Sequence, residues 1–382
     1  MKLKRMLGFI LCLALCAAVF SGCGSSSAAE KDVVTFTVTD PGNDVGIHTS
    51  IQNKYLKGED YLSATDYAVG MLELSQPVPV TLEWSVAGAE GKAGKYIVNL
   101  SEKEDMSKPK EYESKYNTIQ ITNLKIGTTY YWTVTAVFTS GKGDEKTEQS
   151  YTSAVRSFTV SADCPRNLYV DGVTNFRDMG GWPTESGRVV KQGLIFRCGT
   201  ISDGKPGEVR ARVTDEGKKT MLEELGVKSE LDLRVAENGE NGQITKSVLG
   251  KKVNYYNCPM SYDGNILEIN APEIKAAFDV FADKDNYPIF FHCAIGTDRT
   301  GCVAFLLNGL LGVSEESLYR DYMFSNYGEI WGSRDGGAIT NYIDRLQKFG
   351  GERLSDRIRN YLISIGMTNE QLDTIVEIML GK

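Results

Sequence analysis

Residues 289–311 constrain the fold of this chain more than any other stretch. Ile289-Phe290-Phe291-His292 is a short apolar run, Cys293-Ala294-Ile295-Gly296-Thr297-Asp298-Arg299-Thr300-Gly301 is polar and glycine-bearing, and Cys302 to Leu311 is apolar again. A buried strand that feeds through a tight loop into a buried helix is the unit of which parallel α/β sheets are made. Ligands of such sheets bind where strands hand over to helices, so this loop is the first place to look for chemistry.

A cysteine six residues before an arginine is unspecific by itself, and the context gives it content. The strand delivers Cys293 to the mouth of a loop that Gly296 allows to curve tightly, so that backbone N–H groups converge above the sulfur. The next helix turns its positive N-terminus to the same point. Such a cradle suits a phosphate and also stabilises a thiolate. Arg299 adds a planar fork for two phosphate oxygens.

The region around this unit alternates strand and helix. Leu194 to Arg197, Ser229 to Leu233 and Val253 to Cys258 read as further buried strands. Thr214 to Leu225 reads as a helix stopped by Gly226, and Pro272 to Phe281 as another with Asn270 as N-cap. Ser314, followed by Glu315 and Glu316, and Thr368, with Gln371 completing a capping box, open later helices. The pattern predicts a three-layer α/β domain on a mostly parallel sheet.

Four segments stand with the loop: Asn175-Phe176-Arg177-Asp178-Met179-Gly180-Gly181, Ile195-Phe196-Arg197-Cys198-Gly199, Leu231-Asp232-Leu233-Arg234, and Asp321-Tyr322-Met323-Phe324-Ser325-Asn326. In order, and across residues 165–382, they resemble the bacterial cysteine-dependent protein tyrosine phosphatase family with a His-Cys-x-x-Gly-Lys-Asp-Arg-Thr-Gly loop. Thr297 departs from the lysine common there, and Cys198 from the usual serine.

In the mechanism these residue types support, Cys293 attacks phosphorus as thiolate and forms a phosphocysteine, so that one hard displacement becomes two. The backbone amides of Ala294, Ile295, Gly296, Thr297, Asp298 and Arg299, with the Arg299 guanidinium, stabilise the equatorial oxygens. Thr300 can donate to the sulfur, and His292 orients the loop. The leaving oxygen needs a proton from a carboxylic acid across the phosphate. Asp298 holds that role by the family resemblance, whereas Asp263, in a loop after a strand, is placed like the mobile acid of other tyrosine phosphatases; both stay open. Asp178 with Arg177 and Asp232 with Arg234 read as buried pairs bracing the loop, Arg177 being also a candidate substrate contact. A hydroxyl at Thr297, where lysine would add a charge at the pocket rim, favours a substrate with a single phosphate over inositol polyphosphates. Cys198, near the loop by resemblance, either forms a reversible disulfide with Cys293 or replaces serine as a small buried residue.

The N-terminal half has another texture. From about 33 to 161, runs of β-branched and aromatic residues (Val34 to Val38, Val80 to Val86, Tyr96 to Leu100, Thr118 to Ile121, Tyr130 to Phe138, Val155 to Val160) alternate with turn formers, as in an all-β sandwich. Trp84 and the segment Leu124 to Ala136 resemble the fibronectin type III pattern over residues 75–161. That resemblance implies a tryptophan in the core and a corner tyrosine; Ile126 stands where proline is usual. Residues 39–75, with a short helix near Ser50 to Leu56, fit neither texture.

Ahead of the sandwich, Lys2, Lys4 and Arg5 lead into the apolar run Met6 to Phe20, the build of a secretory signal over residues 1–22. Phe20-Ser21-Gly22-Cys23 resembles a lipoprotein signal, which implies lipid on Cys23, and residues 23–32 read as a flexible tether. Of eight cysteines, Cys12 and Cys16 leave with the signal and Cys23 takes lipid. Cys164, Cys198, Cys258, Cys293 and Cys302 remain, an odd set that leaves at least one thiol free. The formal charge of -8, more negative once the basic signal is gone, argues against a nucleic-acid partner. With only His48 and His292, a multi-histidine metal site is excluded.

These readings converge on a multidomain chain: an all-β sandwich at 33–161, then a tyrosine phosphatase-like α/β domain at 165–382. The expected function is an extracytoplasmic, lipid-anchored phosphomonoesterase of the bacterial cell membrane, most simply a protein tyrosine phosphatase, with no cofactor. Its partners would be a phosphorylated protein or small phosphomonoester, the membrane through Cys23, and a protein or cell-wall ligand for the sandwich. Two alternatives differ in class: an inositol-phosphate phosphatase of the same fold, and a silent phosphoprotein-binding or adhesion protein. Intact Cys293, Asp298 and Arg299 argue against silence.

Overall fold

The computed structural model describes residues 34–89, 93–140, 147–202, 212–236, 246–262 and 264–381. Residues 1–22, the tether, Cys23 and Asp263 lie outside them. Among the described residues no helix is long and apolar enough to cross a membrane.

Strands β1 (Thr35–Thr39), β2 (Val80–Ala87), β3 (Ala93–Ser101), β4 (Lys110–Ser114), β5 (Thr118–Ile121), β6 (Thr129–Ser140), β7 (Thr147–Thr152) and β8 (Arg156–Thr159) form two antiparallel sheets. One runs β1-β2-β5; the other runs β4-β3-β6-β7, with β8 sharing the long β6. Alternation sets the faces: Val80, Leu82 and Trp84 of β2 point inward with Val98, Leu100, Trp132 and Val134, while Thr81, Glu83 and Ser85 point out. The Tyr130 hydroxyl accepts the Lys125 amide at 2.8 Å and pins the turn before β6. Strands β4 and β7 were missed in the sequence because Lys110–Ser114 and Thr147–Thr152 are polar and mostly exposed, with no apolar face to read.

The chain does not pass directly from β1 to β2. Helix α1 (Ser50–Leu56), capped by a Thr49–Gln52 box, and the coil after it cross to the C-terminal body, where Tyr55, Ala64 and Ala68 join the main core. This corrects the expected boundary: a segment within residues 33–161 belongs by packing to the α/β body.

That body holds a sheet ordered β12-β11-β13-β10-β9, from β9 (Arg177–Asp178), β10 (Ile195–Cys198), β11 (Ser229–Asp232), β12 (Asn254–Asn257) and β13 (Ile289–His292). All pairs are parallel except β9 with β10. Helix α2 (Asp215–Lys219), which continues as a π turn over Thr220–Glu224, packs Met221 on one face with Phe196 and Phe290. The other face carries α3 (Ile266–Ile269), α4 (Ala271–Ala282), α5 (Asp298–Leu310), α6 (Glu315–Phe324), α7 (Gly337–Leu346), α8 (Leu354–Ser364) and α9 (Asn369–Leu380). Ser314 and Thr368 cap α6 and α9 as their spacing predicts. Asn270 precedes α4 but does not cap it through its side chain, which instead bonds the Ser261 amide and carbonyl. Helix α5 is buried along nearly its whole length, and from Cys302 to Leu307 it is apolar on every side rather than on one stripe.

Candidate active site

Strand β13 ends at His292, and α5 begins at Asp298. The turn between them needs Gly296 for two reasons: its φ is +72°, and a Cβ there would sit 2.3 Å from the Cys198 carbonyl oxygen. The loop is held by its carbonyls from behind. Arg197 Nη2 donates to Gly296 O at 2.8 Å, and Asn175 Nδ2 donates to Gly296 O at 3.2 Å and Ile295 O at 3.4 Å. Donors on the carbonyl side leave the amides of the same peptides free to face the pocket.

Arg177 and Arg197 are buried side by side and share Asp321, which accepts from Arg177 Nε at 2.8 Å and Arg197 Nη1 at 2.6 Å. Their charges outweigh burial and hold the Asp321 carboxyl below the usual range. Two expectations are corrected here. Arg177 does not pair with Asp178, which bonds Arg166 at 2.6 Å instead. Nor can it touch substrate: it is fully buried, with Asp321, Asn175 and Ser325 taking its donors. Asp232 and Arg234 do form the expected buried pair, at 2.8 Å.

Burial alone would push the Cys293 thiol up. The Arg299 charge, the Thr300 hydroxyl and amide and the Ile295 amide reverse that, and the thiol is held below its ordinary range. Arg299 is itself buried, reaching the carbonyl of Met260 at 3.3 Å with Tyr262 over its guanidinium at 5.3 Å. The Thr300 hydroxyl is buried with no oxygen or nitrogen partner among the described residues, which suits a donor to sulfur. His292 lies behind the cysteine: one ring nitrogen is 3.2 Å from Cys293 O and the other 3.0 Å from Glu230 Oε1. Burial opposes its charge, but Asp232 and Glu230 prevail and its pKa is raised. With an acceptor at each nitrogen, His292 can donate to both and fix the loop's first peptide.

Asp298 points out of the loop, as expected of an acid, but meets Arg334, whose Nε and Nη2 donate to its two oxygens at 2.9 and 3.1 Å. Arg334 comes from the loop after α6, and no spacing in the sequence signals it. To serve as the expected acid, Asp298 would have to give up at least part of this pair. The Thr297 side chain is buried, with its hydroxyl donating to Ile295 O. Glu230 was also missed, although two acids two apart in an apolar strand, Glu230 and Asp232, were a readable signal for a partner on the same face.

The two thiols belong to different packing clusters. Cys198 packs with Phe196 and Phe290, whereas Cys293 packs with Ile289 and Phe291. Both thiols are free, and of the two readings of Cys198 the structure carries the one in which it is a small buried residue. All five cysteines of the described residues are free.

With the loop, its braces and the cysteine in place, comparison with known proteins is informative. The model of the tyrosine phosphatase family matches residues 168–380, more than half of the chain. The chain belongs to the tyrosine phosphatase family. It is 24% identical over 185 residues to a Cupriavidus necator protein provisionally named a tyrosine-protein phosphatase, covering 42% of this chain and 63% of that one. It is 27% identical over 166 residues to a Nostoc commune tyrosine-protein phosphatase, covering 33% and 56%. The chain thus spans about three fifths of the length of these curated relatives. Among solved structures, the catalytic core of the PP-IP phosphatase Siw14 from S. cerevisiae, in complex with citrate, matches at 22% identity and TM-score 0.28, over 44% of this chain and 90% of that one. A cysteine-to-serine variant of P. aeruginosa TpbA bound to phosphotyrosine matches at 12% identity and TM-score 0.25, over 50% and 88%.

Proposed function

We propose that the chain is a protein tyrosine phosphatase that works through a phosphocysteine on Cys293, without a cofactor. The observation that carries this reading is a buried thiol held below its ordinary range by Arg299 and the loop amides, at the point where β13, its loop and α5 converge. Incoming phosphate would be gripped by Arg299 and the loop amides, attacked by Cys293, and released as Thr300 eases the sulfur away. Asp298 is the acid of this reading. Family membership and the names of both curated relatives support the activity and a phosphorylated substrate.

The finer parts of the proposal rest on the sequence. Lipid on Cys23 would hold the enzyme outside the cytoplasm, and the sandwich between anchor and catalytic body would be of fibronectin type III kind. Buried Trp84 and the Tyr130 corner bond support the latter. In the full chain, Cys293→Ser should abolish hydrolysis of a phosphotyrosine peptide yet keep the peptide bound, as read by calorimetry. Residual turnover in that variant above about a thousandth of the unaltered rate would refute the phosphocysteine route.

A further inference from the structure

The excursion between β1 and β2 reaches the rim of the phosphate loop. Gly70 anchors it: its amide donates to Asn326 O at 2.8 Å, and its carbonyl accepts from Ile330 N at 2.9 Å and Gly332 N at 3.3 Å. A Cβ at Gly70 would meet the Ile330 side chain at 2.6 Å and Gly332 O at 2.7 Å. Glu73 then accepts from the Asn175 and Glu329 amides, both at 3.2 Å. Asn175 holds the phosphate loop, and Glu329 opens the loop whose Arg334 holds Asp298.

Between these anchors apolar side chains turn to solvent. Val69, Met71 and Leu72 are 52%, 59% and 67% exposed, and Trp331, between the two partners of the Gly70 carbonyl, is 57% exposed. A ledge of this kind beside a catalytic pocket marks a docking surface rather than scattered surface residues. Its surroundings are acidic. Apart from Glu73, whose oxygens are taken by its own partners, residues 58–78 hold the exposed Glu59, Asp60 and Asp66 and no lysine or arginine, and residues 328–336 add the exposed Glu329 and Asp335. Arg334, the cation of that second loop, is engaged by Asp298.

We infer that this ledge binds the polypeptide on either side of the phosphorylated residue and selects apolar and basic flanks over acidic ones. The inference rests on the phosphatase reading, because a phosphate seated over Cys293 leaves its own chain beside Asp298, which Arg334 joins to the loop that carries Trp331 and is bonded to Gly70. The acidic frame repels the lipid phosphates of an anionic membrane and attracts lysine or arginine, which favours a peptide occupant.

The test uses the full chain, p-nitrophenyl phosphate, and paired phosphotyrosine peptides with apolar-basic or acidic flanks. The unaltered chain should prefer the apolar-basic peptide. Met71→Ser with Leu72→Ser should lower kcat/KM for that peptide, relative to p-nitrophenyl phosphate, by about tenfold, the change expected for losing roughly 55 Å² of apolar contact. Asp66→Lys, which leaves the apolar ledge in place, should shrink the preference for basic flanks. An unchanged ratio in the double variant overturns the ledge, as does loss of binding to phosphatidylglycerol vesicles with peptide turnover intact. Failure of the unaltered chain to hydrolyse p-nitrophenyl phosphate refutes the phosphatase reading instead. Peptide affinity of the Cys293→Ser chain then decides the ledge separately: a drop with the double variant supports it, and constant affinity refutes it.

Discussion

At the scale of single residues, the site is a contest between burial and charge. Cys293 is fully enclosed, which should suppress its thiolate, and yet Arg299, Thr300 and the loop amides win. A thiol held below its ordinary range stays reactive as pH falls, so alkylation of Cys293 by iodoacetamide should have its midpoint below that of a free cysteine. Arg299→Met removes the principal favourable charge and should move the midpoint up by about 1–3 pH units, the usual effect of one close opposite charge. A midpoint that stays where it was would mean that loop amides alone hold the thiolate. The sequence made Cys293, Arg299 and Thr300 legible, since their spacing is local. It could not show that Asp321 joins Arg177 and Arg197, or that Arg334 reaches Asp298. Those partners lie 144, 124 and 36 positions apart, and only the folded sheet brings them together.

At the scale of elements, the legible parts were those with an apolar run or period: the three buried parallel strands β10, β11 and β13, the buried helix after the loop, and the inward faces of the sandwich, whereas β12, expected to be buried, is an edge strand with no buried residue. What escaped was polar or borrowed. Strand β9 is two residues long and exists because the Arg177 and Asp178 backbones pair with β10. The excursion between β1 and β2 has no period because its contacts are made by backbone groups and by Glu73, Gln52 and Asn167 one at a time. Glu73 is the sharpest case. It is a buried carboxylate, pushed up by burial, that receives the Ser75, Asn175 and Glu329 amides and the Ser75 hydroxyl. Glu73→Gln would turn N–H donors toward amides that are themselves donors, at a cost of about 1–3 kcal/mol. Both loops beside the pocket should loosen with it. The expected result is a lowered denaturation midpoint together with a fall in kcat/KM for p-nitrophenyl phosphate. A midpoint that falls with catalysis untouched would show that the excursion is only structural padding.

At the scale of the whole molecule, sandwich and α/β body are interlocked rather than strung together. The excursion leaves the sandwich, buries Tyr55, Ala64 and Ala68 in the main core, and returns. Across the seam, Gln192 and Ile126 exchange two hydrogen bonds at 3.0 and 2.9 Å, and Asn123 and Tyr169 exchange two more at 3.0 and 2.7 Å. Arg166 spends its guanidinium on both sides, donating to the Asn123 and Leu124 carbonyls and pairing with Asp178. Lys110 of β4 meets Glu224 of the π turn at 3.0 Å, but this pair is partly exposed and contributes little. Separate folding would expose the pocket left by Tyr55 and strand the buried donors of Arg166, each of which costs kilocalories rather than tenths. The full chain should therefore unfold in one cooperative transition: in a Trp182→Phe, Trp331→Phe chain, tryptophan fluorescence, then confined to Trp84 and Trp132 of the sandwich, should change together with loss of protection of the buried Cys302 of the α/β body from alkylation. Residues 165–382 alone should melt lower than the full chain and bind less phosphate analogue, because the bonds of Glu73 to the Asn175 and Glu329 amides and of Arg320 to the Tyr55 and Gly58 carbonyls leave with the N-terminal half. Two well-separated transitions in the full chain, or an isolated 165–382 fragment as stable as the whole, would mean that the excursion is docked without being required.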